Sequence, residues 1–317
     1  MKFAILFASL ALSASLLPAQ QNSDLDVLHV QGNVYMIAGA GGNIAVQVGD
    51  LGVVVVDTGL AQNADKVVAA IRKLTDKPIQ YIINTHLHPD HIGGNVTVRK
   101  AGVTITGANV TGDINDAAKG AAIIAHQNVL NRISAPSGKQ AAAPDDAWPT
   151  DTYLSGQKEL YFNEEPIQII YQPNAHTDGD SFVFFRRSDV VAAGDIFVTT
   201  SYPYIDLENG GSIQGEIDAL NNLLDIVIPK HDEEGGTYVI PGHGRICDEY
   251  DLLEYRDMIT IVRDRVQAAI KKGMTLDQVR SAGYTKDFDA RWSAKSGLGT
   301  ADNFVTAVYK SLTTGKK

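Results

Sequence analysis

Cysteine, basic residues and long apolar stretches are all scarce in this sequence, and each scarcity excludes a class of protein. Cys247 is the only cysteine among 317 residues, so an internal disulfide and a thiolate metal site are both excluded. We interpret Cys247 as a small buried apolar side chain. The 27 basic residues are outnumbered by 37 acidic ones, and no basic stripe with interleaved aromatics is present. This balance argues against nucleic acid as a partner.

The sequence contains one long apolar run, and it lies at the N-terminus. Lys2 precedes the apolar residues 3–17, and Pro18-Ala19 follows them, an order typical of a secretory signal peptide. The run is shorter than the roughly 20 residues that a membrane-spanning helix needs. We therefore expect residues 1–19 to be a signal peptide, the protein to be periplasmic or extracellular, and the mature chain to have no membrane span.

The remaining sequence has a globular composition, with 44% hydrophobic and 20% charged residues, which indicates neither disorder nor a disulfide-stapled miniprotein. We expect residues 20–317 to form one α/β domain with C-terminal helices. Apolar runs predict strands at 30–37, 44–48, 53–56, 79–84, 160–162, 167–171, 182–185, 190–193 and 238–240. Helical patterns cover 64–74, 110–132, 212–228, 248–272, 276–282 and 303–312. Two runs of strands, each finished by helices, indicate two mixed sheets packed between helical layers.

A dense polar cluster follows the predicted strand at 79–84. Residues 86–91 contain three imidazoles and a carboxylate, a density that a surface does not need and that a core cannot tolerate unpaired. Imidazole nitrogen and carboxylate oxygen are ligands that suit zinc. His86 and His88 project alike from an extended loop, whereas Asp90 and His91 follow a turn at Pro89 and can face a second ion. The cluster therefore predicts a metal site with room for two ions.

Three further polar residues follow other predicted strands and can converge on the same site. They are His176, Asp195 and His243, and a capping or turn role is the plain alternative for each one alone. Because sequentially distant groups at equivalent strand ends form a convergent site, we interpret them as additional ligands. Other histidines have no motif around them and are interpreted as structural: His29, His126 and His231.

Taken together, these motifs resemble those of a known family. HxHxDH at 86–91 is followed by Gly-Gly-Asn, then by AHTDGD, AAGD and PGHG, and this combination is similar to the metallo-β-lactamase superfamily over most of the mature chain. The resemblance implies an αββα sandwich and two zinc ions per chain. It assigns His86, His88 and His176 to the first ion, Asp90, His91 and His243 to the second, and Asp195 as the bridge.

The resemblance also implies a mechanism. A hydroxide bound by the two zinc ions would be the nucleophile, since zinc lowers the pKa of its water from about 16 to roughly 7. Asp90 is the expected catalytic residue, because it would orient this nucleophile. Asp57 is expected to lie behind the ligands and to order their loop. No GxSxG nucleophile elbow is present to compete with this mechanism.

Departures from the best-known members bear on the substrate. Subclass B1 β-lactamases have a cysteine at the position of Asp195 and a carboxylate-binding lysine at that of Val198. The HxHxDH loop with a bridging aspartate is more similar to hydroxyacylglutathione and homoserine-lactone hydrolases, although export disfavours a glutathione thioester. The leading hypothesis is a secreted hydrolase of a small cyclic amide or ester, β-lactam first and lactone second, with a thioesterase as an alternative.

Aromatic residues near the motifs are candidates for the substrate pocket. Tyr202 and Tyr204 follow Asp195 in a polar and aromatic segment that we expect to form one wall, with packing as the alternative. Trp148 lies in a predicted surface loop, 135–152, and could cover the metals as a lid.

Two alternatives of a different class remain open. One is an iron-dependent oxygenase, although His88 stands where diiron members carry glutamate. The other is an inactive zinc-binding partner protein. All seven ligand positions are filled, which argues against this alternative. A small-molecule substrate is expected in either enzyme reading, and the sequence leaves the oligomeric state open.

Overall fold

A computed structural model describes residues 25–104, 120–135, 142–154, 156–231 and 235–314. The expected signal peptide lies outside the described residues, as do part of the helix predicted at 110–132 and part of the loop predicted at 135–152.

The first sheet has seven strands that lie side by side in chain order. They are β1 (Asp26–Gln31), β2 (Val34–Ala38), β3 (Ile44–Gly49), β4 (Gly52–Val56), β5 (Ile79–Ile83), β6 (Ala122–His126) and β7 (Asp151–Tyr153). Neighbours from β1 to β4 are antiparallel, and those from β4 to β7 are parallel. Every residue of β4 is buried, as expected for a valine run covered on both faces.

The second sheet has five strands in the order β12-β11-β10-β9-β8. They are β8 (Gln157–Phe162), β9 (Glu165–Tyr171), β10 (Ser181–Phe185), β11 (Val190–Val198) and β12 (Tyr238–His243). Only the β11–β12 pairing is parallel. Both sheets are therefore mixed, as the sequence predicts.

Helices cover the outer face of each sheet. They are α1 (Ala64–Leu74), α2 (Pro89–Ile92), α3 (Asn95–Lys100), α4 (Gln127–Ile133), α5 (Ile213–Leu224), α6 (Glu249–Lys271), α7 (Leu276–Ser281), α8 (Asp289–Trp292) and α9 (Ala301–Thr314). Side chains of α1 and α3 pack on the first sheet, and those of α5, α6, α7 and α9 pack on the second. A separate apolar core joins the inner faces of the two sheets. The predicted αββα sandwich is confirmed.

Two predicted elements differ from the structure. The strand predicted at 30–37 is split between β1 and β2 by a tight turn, where Gly32 has a positive φ of 57°. The helix predicted at 110–132 includes β6, whose Ile123 and Ile124 are buried and which pairs with β5. A short apolar run is compatible with either a buried helix or a buried strand, so periodicity alone could not separate them.

Cys247 agrees with its interpretation as a buried apolar side chain. Cys247 is 2% exposed, and burial raises the pKa of its thiol to about 12. None of the described helices combines the length and apolar character that crossing a bilayer demands.

Glu216 on α5 is an exception in the core beneath the second sheet. Its side chain is fully buried, and neither carboxylate oxygen has a hydrogen-bond partner among the described residues. Burial raises the pKa of Glu216 well above its ordinary value, and the charges of Asp180 and Asp195 raise it further. The folded protein therefore holds this carboxyl in its neutral form.

The buried carboxyl predicts a pH dependence of stability. Unfolded Glu216 ionises near its ordinary pKa while the folded form keeps its proton, so the free energy of unfolding falls as pH rises above that value. Glu216→Gln does not titrate, and we expect its stability relative to the unmodified protein to increase between pH 4 and pH 8, by up to about 1.4 kcal/mol per pH unit.

Urea unfolding of both proteins across this range measures the effect. Glu208→Gln, at an exposed position, is the control and should show no such trend. A stability difference between Glu216→Gln and the unmodified protein that stays constant with pH would contradict the neutral carboxyl.

Candidate metal centre

The carboxyl ends of strands from both sheets meet at one end of the sandwich, and the predicted ligands lie there. β5 leads through Asn84 and Thr85 to His86. His88 is the residue before α2, whose first position is Pro89, a residue suited to start a helix. The resulting turn places Asp90 and His91 on α2 instead of continuing the extended chain.

Four residues form the first group of potential ligands, each with one nitrogen or oxygen within 4.8 Å of the others: His86, His88, His176 and Asp195. His176 Nε2 lies 2.9 Å from His88 Nδ1. Asp195 Oδ2 lies 3.7 Å from His176 Nε2 and 3.9 Å from His86 Nε2. Three ring nitrogens and one carboxylate oxygen thus surround a single point.

Three residues form the second group, which lies beside the first: Asp90, His91 and His243. His243 Nε2 lies 3.2 Å from Asp90 Oδ2, and His91 Nε2 lies 3.9 Å from the same oxygen. Asp195 Oδ1 is 3.1 Å from His91 Nε2 and 3.4 Å from His243 Nε2. Asp195 therefore presents one carboxylate oxygen to each group, and the structure brings all seven predicted ligands together.

The donor atoms fit metal ions better than they fit one another. His86 Nε2, His91 Nε2 and Asp195 Oδ1 are buried and have no hydrogen-bond partner among the described residues. Leaving several such atoms unpaired in one place is costly. Imidazole nitrogens and carboxylate oxygens are ligands of divalent zinc. The two groups can therefore hold two divalent cations.

In four of the histidines, the ring nitrogen that faces away from the ligand groups makes a hydrogen bond. This contact turns the other ring nitrogen inward. Three of these contacts are His86 Nδ1 to Thr85 Oγ1 at 2.9 Å, His91 Nδ1 to Asp57 Oδ2 at 2.8 Å and His88 Nε2 to Asp206 Oδ2 at 2.8 Å. In the fourth, His176 Nδ1 lies 2.6 Å from the carbonyl oxygen of Tyr204. The orientation of these rings is thus set before any ion binds.

Burial and neighbouring charges shift the pKa values of these histidines in opposite directions. Burial lowers the pKa of His86 well below its ordinary value and that of His176 to about 4. Burial also opposes the charged form of His243, but the nearby carboxylates of Asp195 and Asp90 raise its pKa to about 9. A cation bound in the second group must therefore displace a proton from His243.

Asp57 lies behind the ligands, where the sequence analysis expects it. It is 1% exposed, and its carboxylate accepts hydrogen bonds from the backbone N–H and the hydroxyl of Thr85, at 2.8 Å and 2.7 Å. The same carboxylate accepts from His91 Nδ1. Asp57 thereby joins the end of β4 to both halves of the metal-binding loop.

Asp206 has a similar place behind His88, and the sequence analysis missed it. It is 4% exposed and also accepts hydrogen bonds from the backbone and side chain of Asn209, at 3.1 Å and 2.7 Å. Burial opposes its ionisation, but the hydrogen bonds from His88 and Asn209 lower its pKa to about 2. The available sequence signal is the acid in Tyr204-Ile205-Asp206, two positions after the aromatic residue.

A cavity of about 470 Å³ opens beside the two ligand groups. Besides five of the ligands, it is lined by Pro89, Val198, Thr200, Ser201, Tyr204, Leu298 and Gly299. The Tyr204 ring lies 5.8 Å from those of both His88 and His176. No lysine or arginine is found among these lining residues. The walls are therefore apolar or hydroxyl-bearing, and the ligands form one end.

Of the three residues expected to bind substrate, only Tyr204 lines this cavity. Tyr202 is fully buried, because its ring stacks on Phe304 with centroids 5.1 Å apart and its hydroxyl donates to Asp289. Its role is packing.

Trp148 is also not among the residues that line the cavity. Its ring packs in a small apolar cluster with Leu87, Ile92 and Val129, and its indole nitrogen donates to the carbonyl oxygen of Ala143 at 2.8 Å. The last two residues of the loop predicted at 135–152 belong to β7, which pairs with β6 in the first sheet.

The histidines interpreted as structural belong to neither ligand group. His29 bonds to the carbonyl oxygen of Gly32 at 2.9 Å, and His126 stacks on Tyr171 with ring centroids 3.7 Å apart. His231 is likewise absent from both groups.

Comparison with known proteins identifies the family. The model of the metallo-beta-lactamase superfamily matches residues 29–243, which include every ligand. The chain belongs to this superfamily. Its relatives in the comparisons are hydrolases, and we assign the chain as a metallo-hydrolase.

A curated relative is the linear primary-alkylsulfatase of Pseudomonas sp., 24% identical over 297 residues, which are 82% of this chain and 53% of that protein. The solved structure of the stereoselective inverting sec-alkylsulfatase Pisa1, also from Pseudomonas sp., has a TM-score of 0.63 at 16% identity and covers 90% of this chain. This chain spans about half the length of both alkylsulfatases.

Metallo-β-lactamases are also similar in fold. DIM-1 has a TM-score of 0.54 at 18% identity, and the enzyme from Pontibacter korlensis has a TM-score of 0.55 at 13% identity. Each similarity covers 75% of this chain and nearly all of the β-lactamase. Identities this low show the shared fold alone.

Removal of Asp206 tests its support of His88. Without the carboxylate, the His88 ring loses the contact that fixes its orientation, and we expect Asp206→Ala to weaken metal affinity roughly 10- to 100-fold. Asp206→Asn keeps an acceptor oxygen and should lose less. Competition with a chelating dye measures the affinity, and Asp218→Asn, at an exposed position on α5, is the control. Unchanged affinity in Asp206→Ala would contradict the supporting role.

Removal of Asp195 tests the shared ligand. Because one oxygen of Asp195 faces each group, we expect Asp195→Ala to lower the metal content of the purified protein and to reduce turnover sharply. Mass spectrometry gives the metal content per chain. Full metal content with retained turnover would refute the bridging position.

Proposed function

We propose that this protein is a dinuclear zinc hydrolase that opens a small, uncharged cyclic ester or amide. The observation that carries the proposal is the placement of Asp195 between the two ligand groups, with one carboxylate oxygen toward each. Two groups sharing one anion are the arrangement that a pair of cations requires. His86, His88, His176 and Asp195 would hold the first zinc, and Asp90, His91, His243 and Asp195 the second.

When bound, two zinc ions supply Lewis acidity toward a carbonyl and a water-derived nucleophile at neutral pH. Asp90 is the residue of the chain best placed to orient that water, because its carboxylate lines the cavity and is one-third exposed. Burial would raise its pKa, but the hydrogen bond from His243 lowers it. Asp90 is therefore kept in its ionised form, in which its carboxylate could accept a hydrogen bond from that water.

The walls of the cavity favour an uncharged substrate. Bicyclic β-lactams carry a carboxylate that needs a cationic partner, yet Val198 lies in the wall and no lysine or arginine is among the lining residues. Thr200 and Ser201 supply hydroxyls that can bond to a neutral carbonyl or ring oxygen. These features place a lactone ahead of a β-lactam, which reverses the order of the sequence-based hypothesis.

Sulfate ester hydrolysis is a second candidate, favoured by the alkylsulfatase relatives. The described residues of the wall offer no lysine or arginine to a sulfate group. The oxygenase, thioesterase and inactive-partner alternatives gain no support from a particular contact. We retain export through residues 1–19 as part of the proposal.

Metal content and a substrate panel test the proposed function together. We expect two zinc ions per chain, turnover of a γ-lactone with a short acyl substituent, and loss of that turnover after chelation with recovery on adding zinc. A chromogenic cephalosporin and hexyl sulfate should be poorer substrates by about tenfold or more. The cephalosporin places its carboxylate against an uncharged wall, and the sulfate ester has no carbonyl for the ions to polarise.

The outcomes of this panel separate the candidates. Faster turnover of hexyl sulfate would move the assignment to a sulfatase, and faster turnover of the cephalosporin would restore the β-lactamase hypothesis. Iron in place of zinc, or zinc without turnover of any panel member, would contradict the proposed hydrolase.

A further inference from the structure

One wall of the cavity comes from a part of the chain beyond the family match. The family model ends at residue 243, whereas Leu298 and Gly299 line the cavity beside the metal ligands. Both residues lie between α8 and α9, in residues 293–300, which we call the 293–300 loop. The shared fold therefore builds the ligand groups, and a segment outside it completes the substrate cavity.

Hydrogen bonds within the 293–300 loop fix its shape. The backbone N–H of Ala294 donates to the carbonyl oxygen of Gly299 at 3.1 Å. Asn303 on α9 donates from its side-chain amide to the carbonyl oxygen of Gly297 at 2.7 Å. These contacts close the loop on itself and tie it to the first turn of α9.

The helix that follows is anchored in the core beneath the second sheet. Phe304, Val305 and Val308 of α9 are 0–3% exposed and pack in the apolar cluster that includes side chains of α5 and α6. Since this cluster is continuous with the outer face of the sheet that carries Asp195, the loop has a fixed position relative to the ligands.

Gly299 seats the loop against the segment that follows Asp195. A β-carbon at this position would overlap the Ser201 side chain and would lie 3.2 Å from the carbonyl oxygen of Tyr202. Only a residue without a side chain allows this close approach. The contact joins the two walls of the cavity. The preceding residue, Leu298, lies at the rim of the cavity.

Leu298 is apolar, large and 58% exposed. Val198, Pro89 and Tyr204 line the same cavity, so Leu298 extends an apolar surface that begins beside the ligands. An exposed leucine alone needs no explanation. Leu298, however, lies on the rim of a cavity and extends the apolar wall of that cavity. In this position it can contact the hydrocarbon part of a bound substrate.

We propose that Leu298 is a specificity-determining residue that contacts a straight alkyl or acyl chain of the substrate while the reacting group lies at the metal ligands. The proposal rests on the proposed function, because it takes the ligand groups as the reacting end of the cavity. It assigns the substrate class as an uncharged ester or amide with an aliphatic tail.

Binding of n-alkyl hydroxamates from two to ten carbons to the zinc-loaded protein tests the proposal, because the hydroxamate binds zinc and only the tail varies. Calorimetry gives the affinities. In the unmodified protein we expect affinity to rise about twofold to fourfold per methylene over the part of the tail that reaches the wall. Leu298→Ala should weaken the ten-carbon compound about fivefold to tenfold and change acetohydroxamate less than twofold.

A matched control is Leu51→Ala, because Leu51 is 60% exposed in the turn between β3 and β4, at the end of β4 away from the ligands. It should leave the whole series unchanged. Gly299→Ala, which forces the loop away from Ser201, should weaken the long compounds as Leu298→Ala does.

Two results would overturn the proposal: affinity that does not rise with chain length, or an equal loss for short and long compounds in Leu298→Ala. Failure of the proposed function is visible separately, as a normal chain-length series in a protein that turns over none of the panel substrates. In that case the apolar wall stands and the assigned reaction does not.

Discussion

The metal centre depends on the buried carboxylate of Asp57. Asp57 follows β4 with a positive φ of 63°, an unfavourable conformation for a residue with a side chain. The conformation persists because the carboxylate accepts three hydrogen bonds, two from Thr85 and one from His91. The end of β4 is thereby joined to the loop after β5, and His86 and His91 are oriented from behind. Without this carboxylate, the loop could satisfy its polar groups only by turning them away from the centre.

The same logic extends outward from the ligands. His88 is held by Asp206, which is held in turn by Asn209, and His176 is held by the carbonyl oxygen of Tyr204. One segment, 204–209, therefore orients two ligands of the first group and also supplies a side chain of the cavity wall. Metal affinity and cavity shape are coupled through this segment, because a shift of its backbone moves both ligand rings and the Tyr204 ring together.

The sequence predicts the parts of the fold and site that are encoded locally. HxHxDH lies within six residues, and each distant candidate ligand follows a recognisable buried strand, so the convergence of these seven residues and the sandwich could be predicted. The misses are residues whose roles depend on tertiary neighbours. Tyr202 and Tyr204 are two positions apart in one aromatic segment, yet one faces Phe304 in the core and the other faces the cavity. Asp206 and Leu298 carry no motif, because an acid behind a histidine and a leucine on a rim become distinct only after folding.

The candidate ligands and one wall of the cavity come from different parts of the chain. All seven candidate ligands lie within 29–243, the range that matches the superfamily. The 293–300 loop lies beyond that range and contacts the cavity at its rim. The loop contains none of the ligand residues or their hydrogen-bonded partners, whereas Tyr204 and Asp206 both bond to ligand histidines and Tyr204 also lines the cavity. A substitution in the loop can therefore alter the cavity without touching the ligand groups, which is why a match to the family leaves the substrate open.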